Sequence, residues 1–397
     1  MNRQAFLDHY LVDRRQTDSS KWDGMKEKFG EEDLLPMWIA DMEFKTCDAI
    51  TAALTERCKH GVFGYSMVPE SYYKAYSDWM DQRYSFPLKK DWVRFSTGCV
   101  TGIAWMIHAY TQPGDACMIL TPVYYPFHNV VTNNNRRLVT VDLHYEHGYF
   151  TMDYEAIEKA IIENDVKMFV QCSPHNPAGR VWDEEELDQV LAICEKHHVL
   201  VVSDEIHQDL VIADKKFIPA AAVSNGRYRD IIVILSSASK TFNLATLLHS
   251  HIIITNDELR ARYDQFASGL NRTEVSIMGM LATQAGYEAG SEWLSHVLDT
   301  IRDNYIYLKE ILNQELPEVT VCELEGTYLA FLDMRGYLSP DEVQHFIQKQ
   351  CHLAVDYGEW FGANFKGFIR LNLATDPKFV RQAAEIIIEM IKNKKNS

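Results

Sequence analysis

Five short apolar runs, each closed by small polar residues, constrain the fold of this chain more than any other feature. Ala116 to Leu120 ends at Thr121-Pro122, Lys167 to Cys172 at Ser173-Pro174, and Ile231 to Leu235 at Ser236-Ser237. Leu200 to Val202 leads into Ser203-Asp204-Glu205, and His251 to Thr255 reads as the fifth run. A strand that is apolar at nearly every position has no face to give to water, so it belongs in a sheet covered on both sides. Between the second and third runs, Asp183 to His197 carries Leu187, Val190, Leu191 and Cys194 on one helical face. Its acidic start and basic end suit the helix dipole. Residues 167–205 therefore predict a β-α-β unit, and the chain an α/β architecture with a largely parallel sheet.

The tail reads differently. Pro340 to Lys349 and Pro377 to Lys394 predict amphipathic helices, the second with Phe379, Val380, Ala383, Ile386, Ile387 and Met390 at helical spacing. Glu323 to Asp333 and Phe368 to Leu373 predict strands. We expect a larger domain over residues 48–285 and a smaller α+β domain built from 1–47 and 286–397. A length of 397 residues suits roughly two to three domains and buries a core without disulfides.

Bulk properties exclude several function classes. The formal net charge of −17 repels nucleic-acid backbones and anionic membranes, so neither is an expected partner. No run approaches the ~18 apolar residues that span a bilayer, and the N-terminus lacks the apolar stretch of a signal peptide. The eight cysteines are scattered with no Cys-x-x-Cys pair, which argues against a metal site and for a reducing cytoplasm. Cys172 and Cys194 sit in apolar surroundings and read as core residues.

In open α/β sheets, ligands bind beyond the carboxyl ends of the strands. The residues that follow the runs are Tyr124, Asn176, Asp204 with His207, and Ser237 with Ser239 and Lys240. Singly, each has an ordinary use as a cap, a turn residue or a solvated charge. Together they offer an amine, a carboxylate, an amide, an aromatic face and hydroxyls, which are the groups that pyridoxal 5′-phosphate (PLP) needs. Its aldehyde needs a lysine, its ring nitrogen an acidic partner, its phenolate oxygen a donor, its ring a stacking partner and its phosphate a cradle. Ser96-Thr97-Gly98-Cys99-Val100-Thr101-Gly102, followed by apolar helical residues from Ile103, predicts a glycine-flanked turn that opens a helix and offers free N–H groups to a phosphate.

Longer motifs then carry a resemblance. Ser173-Pro-His-Asn-Pro-Ala-Gly-Arg, Ser203-Asp-Glu-Ile-His and Ser237-Ala-Ser-Lys-Thr-Phe-Asn resemble the signature blocks of fold-type I PLP-dependent enzymes. Pro36-Met-Trp-Ile-Ala-Asp-Met-Glu-Phe, Phe63-Gly-Tyr and Phe368-Ile-Arg-Leu-Asn-Leu-Ala resemble the cystathionine β-lyase and cysteine C–S lyase branch. The blocks run over residues 36–374, nearly the whole chain. The resemblance implies the PLP-dependent transferase fold, PLP as cofactor and a homodimer. Lys240 is implied as the lysine that carries PLP, Asp204 as the partner of its ring nitrogen and Asn176 as the donor to its phenolate oxygen. Tyr124 would stack on the ring, with His207 beside the cofactor. Ser237 and the backbone of Cys99 and Val100 would hold the phosphate. Tyr65 would enter from the neighbouring subunit, and Arg370, with Ala40 nearby, would take the substrate carboxylate. Side-chain specificity is expected in loops near Asp41, Tyr65, Tyr124 and Tyr357 to Phe361, Trp360 included.

Two positions depart from the aminotransferases of this fold. His207 stands where many carry tyrosine. Thr246, Leu247, Leu248 and His249 fill the stretch where many carry a phosphate-binding arginine. The C–S lyase branch resembles this chain in both respects. The implied reaction is α,β-elimination from L-cystathionine and related S-substituted L-cysteines to a thiol, pyruvate and ammonia, with Lys240 as general base and Lys240 or a tyrosine, Tyr124 included, as proton donor to the leaving sulfur. Amino-acid transamination shares every cofactor residue and is the alternative.

Overall fold

A computed structural model of the chain describes residues 1–270 and 276–396. Its central sheet contains β1 (Val93–Ser96), β2 (Ala116–Thr121), β3 (Arg137–Asp142), β4 (Val166–Cys172), β5 (Leu200–Asp204), β6 (Ile232–Ser236) and β7 (Ser250–Ile253). The order across the sheet is β1-β7-β6-β5-β4-β2-β3. All strands run one way except β7, which is antiparallel to both β1 and β6.

Alternation explains why the runs are continuously apolar. Ala116, Met118 and Leu120 of β2 enter one core, while Cys117 and Ile119 enter another on the opposite face. Ile232 and Ile234 of β6 face the first core, Val233 and Leu235 the second. Each of the larger aliphatic side chains contributes roughly 1.5–3 kcal/mol on burial, so a polar residue on either face is costly.

α1 (Glu70–Tyr84) and α2 (Cys99–Tyr110) precede β2, and α3 (Glu184–Lys196) links β4 to β5. Among these helices α3 begins where its sequence says it should. In α3, Asp183 Oδ1 accepts from the Glu186 N–H (2.9 Å) while Glu186 accepts from the Asp183 N–H (3.0 Å). This reciprocal cap satisfies two donors that a helix start leaves bare. The four apolar residues expected on one face of α3 are all buried. Further on come the short α4 (Ala238–Thr241), α5 (Ile277–Ala289), α6 (Ser291–Glu315) and α7 (Pro377–Asn396).

A second, antiparallel sheet has the order β8 (Thr320–Val321), β9 (Leu329–Asp333), β11 (Phe368–Asn372), β10 (Asp356–Tyr357). The N-terminal segment joins this part of the chain. Leu35–Pro36 pairs in parallel with Leu353–Ala354, and α6 packs against α7.

Several expected boundaries shift. The strand expected from Glu323 starts at Leu329, because Glu325 and Gly326 turn to donate to the Gly179 carbonyl and Thr327 takes φ 73°. The helix expected over Pro340 to Lys349 is one turn at Val343–His345 continued as a π-helix over Phe346–Gln350. That widening buries Phe346, Ile347 and Gln348 in succession, which a regular helical face does not do. α2 begins at Cys99, inside the segment read as a loop.

Candidate active site

The parallel strands deliver their last residues to one edge of the sheet. Asp204 ends β5, Asn176 follows β4 between the cis peptides at Ser173-Pro174 and Asn176-Pro177, and Lys240 follows β6 on α4. Because β7 runs the opposite way, its first residue reaches that same edge, with Ser250 opposite Ser96. α2 starts just beyond β1, so its first turn arrives there too.

These ends surround a cavity of about 200 Å³. Of the residues expected in the site, Lys240, Asp204, Asn176, Tyr124, His207, Cys99, Val100 and Ala40 line it. The N–H groups of the first turn of α2 have no partner within the helix, and Gly98, which caps it, adds no side chain.

Lys240 Nζ donates to the Ala40 carbonyl (2.5 Å), which also accepts from the Tyr328 hydroxyl (2.8 Å). Three distant motifs meet to hold that carbonyl. Asn372 Nδ2 donates to the carbonyls of Ile39 and Asp41, each at 2.6 Å. Asn243 Nδ2 donates to the carbonyls of Met42 and Phe44, each at 3.0 Å. Burial is the main influence on the lysine and lowers its pKa, so its amine gives up a proton more readily than a solvated lysine does.

Burial likewise pushes the Asp204 carboxyl up to about 7, against the lowering effects of the Ile206 N–H, the Cys99 thiol and Lys240. A carboxyl in this state is suited to a cationic N–H partner. His207 is buried, its Nδ1 has no hydrogen-bond partner, and burial holds it neutral. Tyr124 is pushed up to about 12 by burial, and so it stays protonated. Its N–H donates to the Asn176 carbonyl (3.1 Å), which ties the two loops together.

Three expected site residues do not line the cavity. Ser237 caps α4 instead: its hydroxyl donates to the His249 carbonyl (2.6 Å) and accepts from the Ser239 N–H (3.1 Å), and Ser239 lines the cavity in its place. Arg370 is buried one step behind. Its Nη1 donates to Asn176 Oδ1 (2.9 Å), its Nη2 pairs with Asp356, and its guanidinium lies 4.7 Å from the Phe361 ring centre. Its Nε has no partner. Tyr65 is 92% exposed on the single chain. Of the loop aromatics, Phe361 is buried and Trp360 is half-buried.

Tyr328 and Asn372 were not singled out by the sequence reading. Tyr328 stands in a Glu-Gly-Thr-Tyr turn ahead of the apolar β9, which is the same punctuation that marked the other strand ends. Asn372 lies inside a motif already noted.

The aminotransferase class I and II family matches residues 33–387. Cystathionine beta-lyase PatB of Bacillus subtilis is 36% identical over 361 residues, covering 91% of this chain and 93% of that protein. A PLP-bound putative aminotransferase from Clostridium difficile superposes with a TM-score of 0.92 at 35% identity, covering 96% of this chain and 98% of the other. The PLP-bound C–S lyase of Staphylococcus hominis superposes with a TM-score of 0.90 at 32% identity, covering 96% and 97%. This chain therefore belongs to the aminotransferase class I and II family, and within it to the branch of the cystathionine β-lyases and C–S lyases.

Proposed function

We propose that the protein is a PLP-dependent carbon–sulfur β-lyase acting on L-cystathionine and related S-substituted L-cysteines. One observation carries the reading: Lys240, lowered in pKa, shares a buried cavity with a carboxyl that burial has raised, Asp204, and with the open first turn of α2. That set fits PLP: an amine for its aldehyde, an acidic partner for its ring nitrogen and N–H groups for its phosphate.

When bound, PLP supplies an electron sink that acidifies the substrate Cα–H. Asp204 would keep the proton on the ring nitrogen, Tyr124 would stack on the ring, and Asn176 would donate to the phenolate oxygen. Arg370, one step behind the cavity beside Asn176, would take the substrate carboxylate. Lys240 removes the Cα proton. The Cβ–S bond then breaks, the sulfur leaves with the bonding electron pair, and Lys240 or Tyr124 supplies its proton. Water converts the released 2-aminoacrylate to pyruvate and ammonia.

His207, and the absence of arginine over Thr246 to His249, favour the lyase branch over transamination. A homodimer completes the reading. The exposed stretch Val62, Phe63, Tyr65 and Met67 is apolar enough to call for cover, and Tyr65 would enter the neighbouring site. The larger and smaller domains are proposed over 48–285 and over 1–47 with 286–397. Borohydride reduction of the PLP-loaded protein followed by peptide mass mapping tests the assignment. A single adduct on Lys240 is expected, and an adduct on another lysine, or none, contradicts it.

A further inference from the structure

An anion at the α2 end of the cavity meets little formal positive charge. Among the described residues that line the cavity, Lys240 is the one cation, and its amine is committed to the cofactor aldehyde. We propose that His249 donates its Nδ1–H to the cofactor phosphate and is held in that tautomer by Tyr72 and His251. This rests on the reading that PLP fills the cavity.

His249 lines the cavity together with Cys99, Val100 and Ser250. Its ring is fixed from several sides. Ser237 holds its carbonyl, Phe95 lies 5.6 Å away ring to ring, and α5 passes so close that a Cβ on Gly279 would stand 2.6 Å from the His249 Cβ. Its Nε2 is hydrogen-bonded to the Tyr72 hydroxyl. Nδ1 is the polar ring atom left over, and it is buried without a partner. A buried N–H or ring nitrogen in that state forgoes a hydrogen bond unless a ligand supplies one.

Proton counting fixes the rest. The same Tyr72 hydroxyl lies 2.5 Å from His251 Nε2. One phenol proton serves one imidazole, so the other imidazole must donate to the phenol oxygen. A phosphate on Nδ1 selects the Nδ1–H form of His249. Tyr72 then donates to His249, and His251 donates its Nε2–H to Tyr72. Each hydrogen bond in the chain from His251 through Tyr72 to His249 points toward the anion, and each strengthens the next. His251 Nδ1 is left as a bare lone pair, which is the cheaper group to leave unpaired in a core.

The test compares PLP with pyridoxal, which lacks the phosphate. Asparagine places an amide near the Nδ1 position, and glutamine places one near Nε2. In fluorescence titrations, H249Q should weaken PLP binding roughly ten- to a hundredfold and leave pyridoxal within about twofold. H249N should recover most of the PLP affinity. Equal losses for both ligands, or no loss, overturn the proposal. A wild-type protein that binds neither ligand overturns the PLP reading itself. Histidine ¹⁵N NMR of the wild-type protein gives a readout independent of the variants. Adding PLP should set His249 as Nδ1–H and His251 as Nε2–H, and a His249 that stays Nε2–H contradicts the assignment.

Discussion

Asp204 shows how one residue sets both stability and function. Burial pushes its carboxyl up to about 7 in the folded apo-protein, against 3.8 in the unfolded chain. Between those values the folded apo-protein holds a proton that the unfolded chain has released, so this group lowers stability as pH rises through the window. The apo-protein should therefore lose thermal stability between about pH 4 and pH 7, and Asp204→Asn should reduce that decline while weakening PLP binding. Thermal melts of both apo-proteins across that range check the sign, and parallel curves contradict it. Lys240, Asp204, Asn176 and Tyr124 were legible in sequence because each follows a buried run directly. The capping role of Ser237 was not, because hydroxyls choose partners by local geometry. His249 and Tyr328 were hidden for another reason: His249 reaches the cavity just ahead of an antiparallel strand, and Tyr328 reaches the Ala40 carbonyl from the second sheet.

At the scale of elements, interior strands announce themselves and edge strands do not. β2, β4, β5 and β6 are covered on both faces and read as unbroken apolar runs. β3 at the edge alternates, with Arg137, Thr140 and Asp142 exposed, and it escaped notice. The reversal of β7 also left no mark on its composition, yet it brings His249 and Ser250 to the site. Two substitutions separate fold from site. Asp183→Ala removes the cap of α3 and should cost about 1 kcal/mol of stability without changing PLP affinity. Gly279→Ala presses on His249 and should cost roughly 1–3 kcal/mol, with faster loss of PLP on dialysis. Denaturant titrations and cofactor retention read both effects. PLP loss from the Asp183 variant, or none from the Gly279 variant, contradicts this division.

Across the whole molecule, the N-terminal strip at Ile39 to Phe44 is what joins the two sheets at the site. Asn372 grips it from β11 and Asn243 from the lysine loop, so Lys240 faces a carbonyl that is fixed by both. Sequence motifs marked all three segments, but their meeting point is a product of the fold. The exposed Phe63 and Met67 belong to the same scale. Phe63→Asp should convert a dimer to monomers in analytical ultracentrifugation and lower turnover at least about tenfold, because burying an unpaired carboxylate disfavours association; a monomeric wild-type protein contradicts the dimer.

The central claim is C–S cleavage by a site built around Lys240. The most direct measurement supplies L-cystathionine to the PLP-loaded protein with no keto acid present. Continuous release of pyruvate and thiol over many turnovers is the predicted result. A single half-turnover that converts the cofactor and then stalls would mean transamination, and would contradict it.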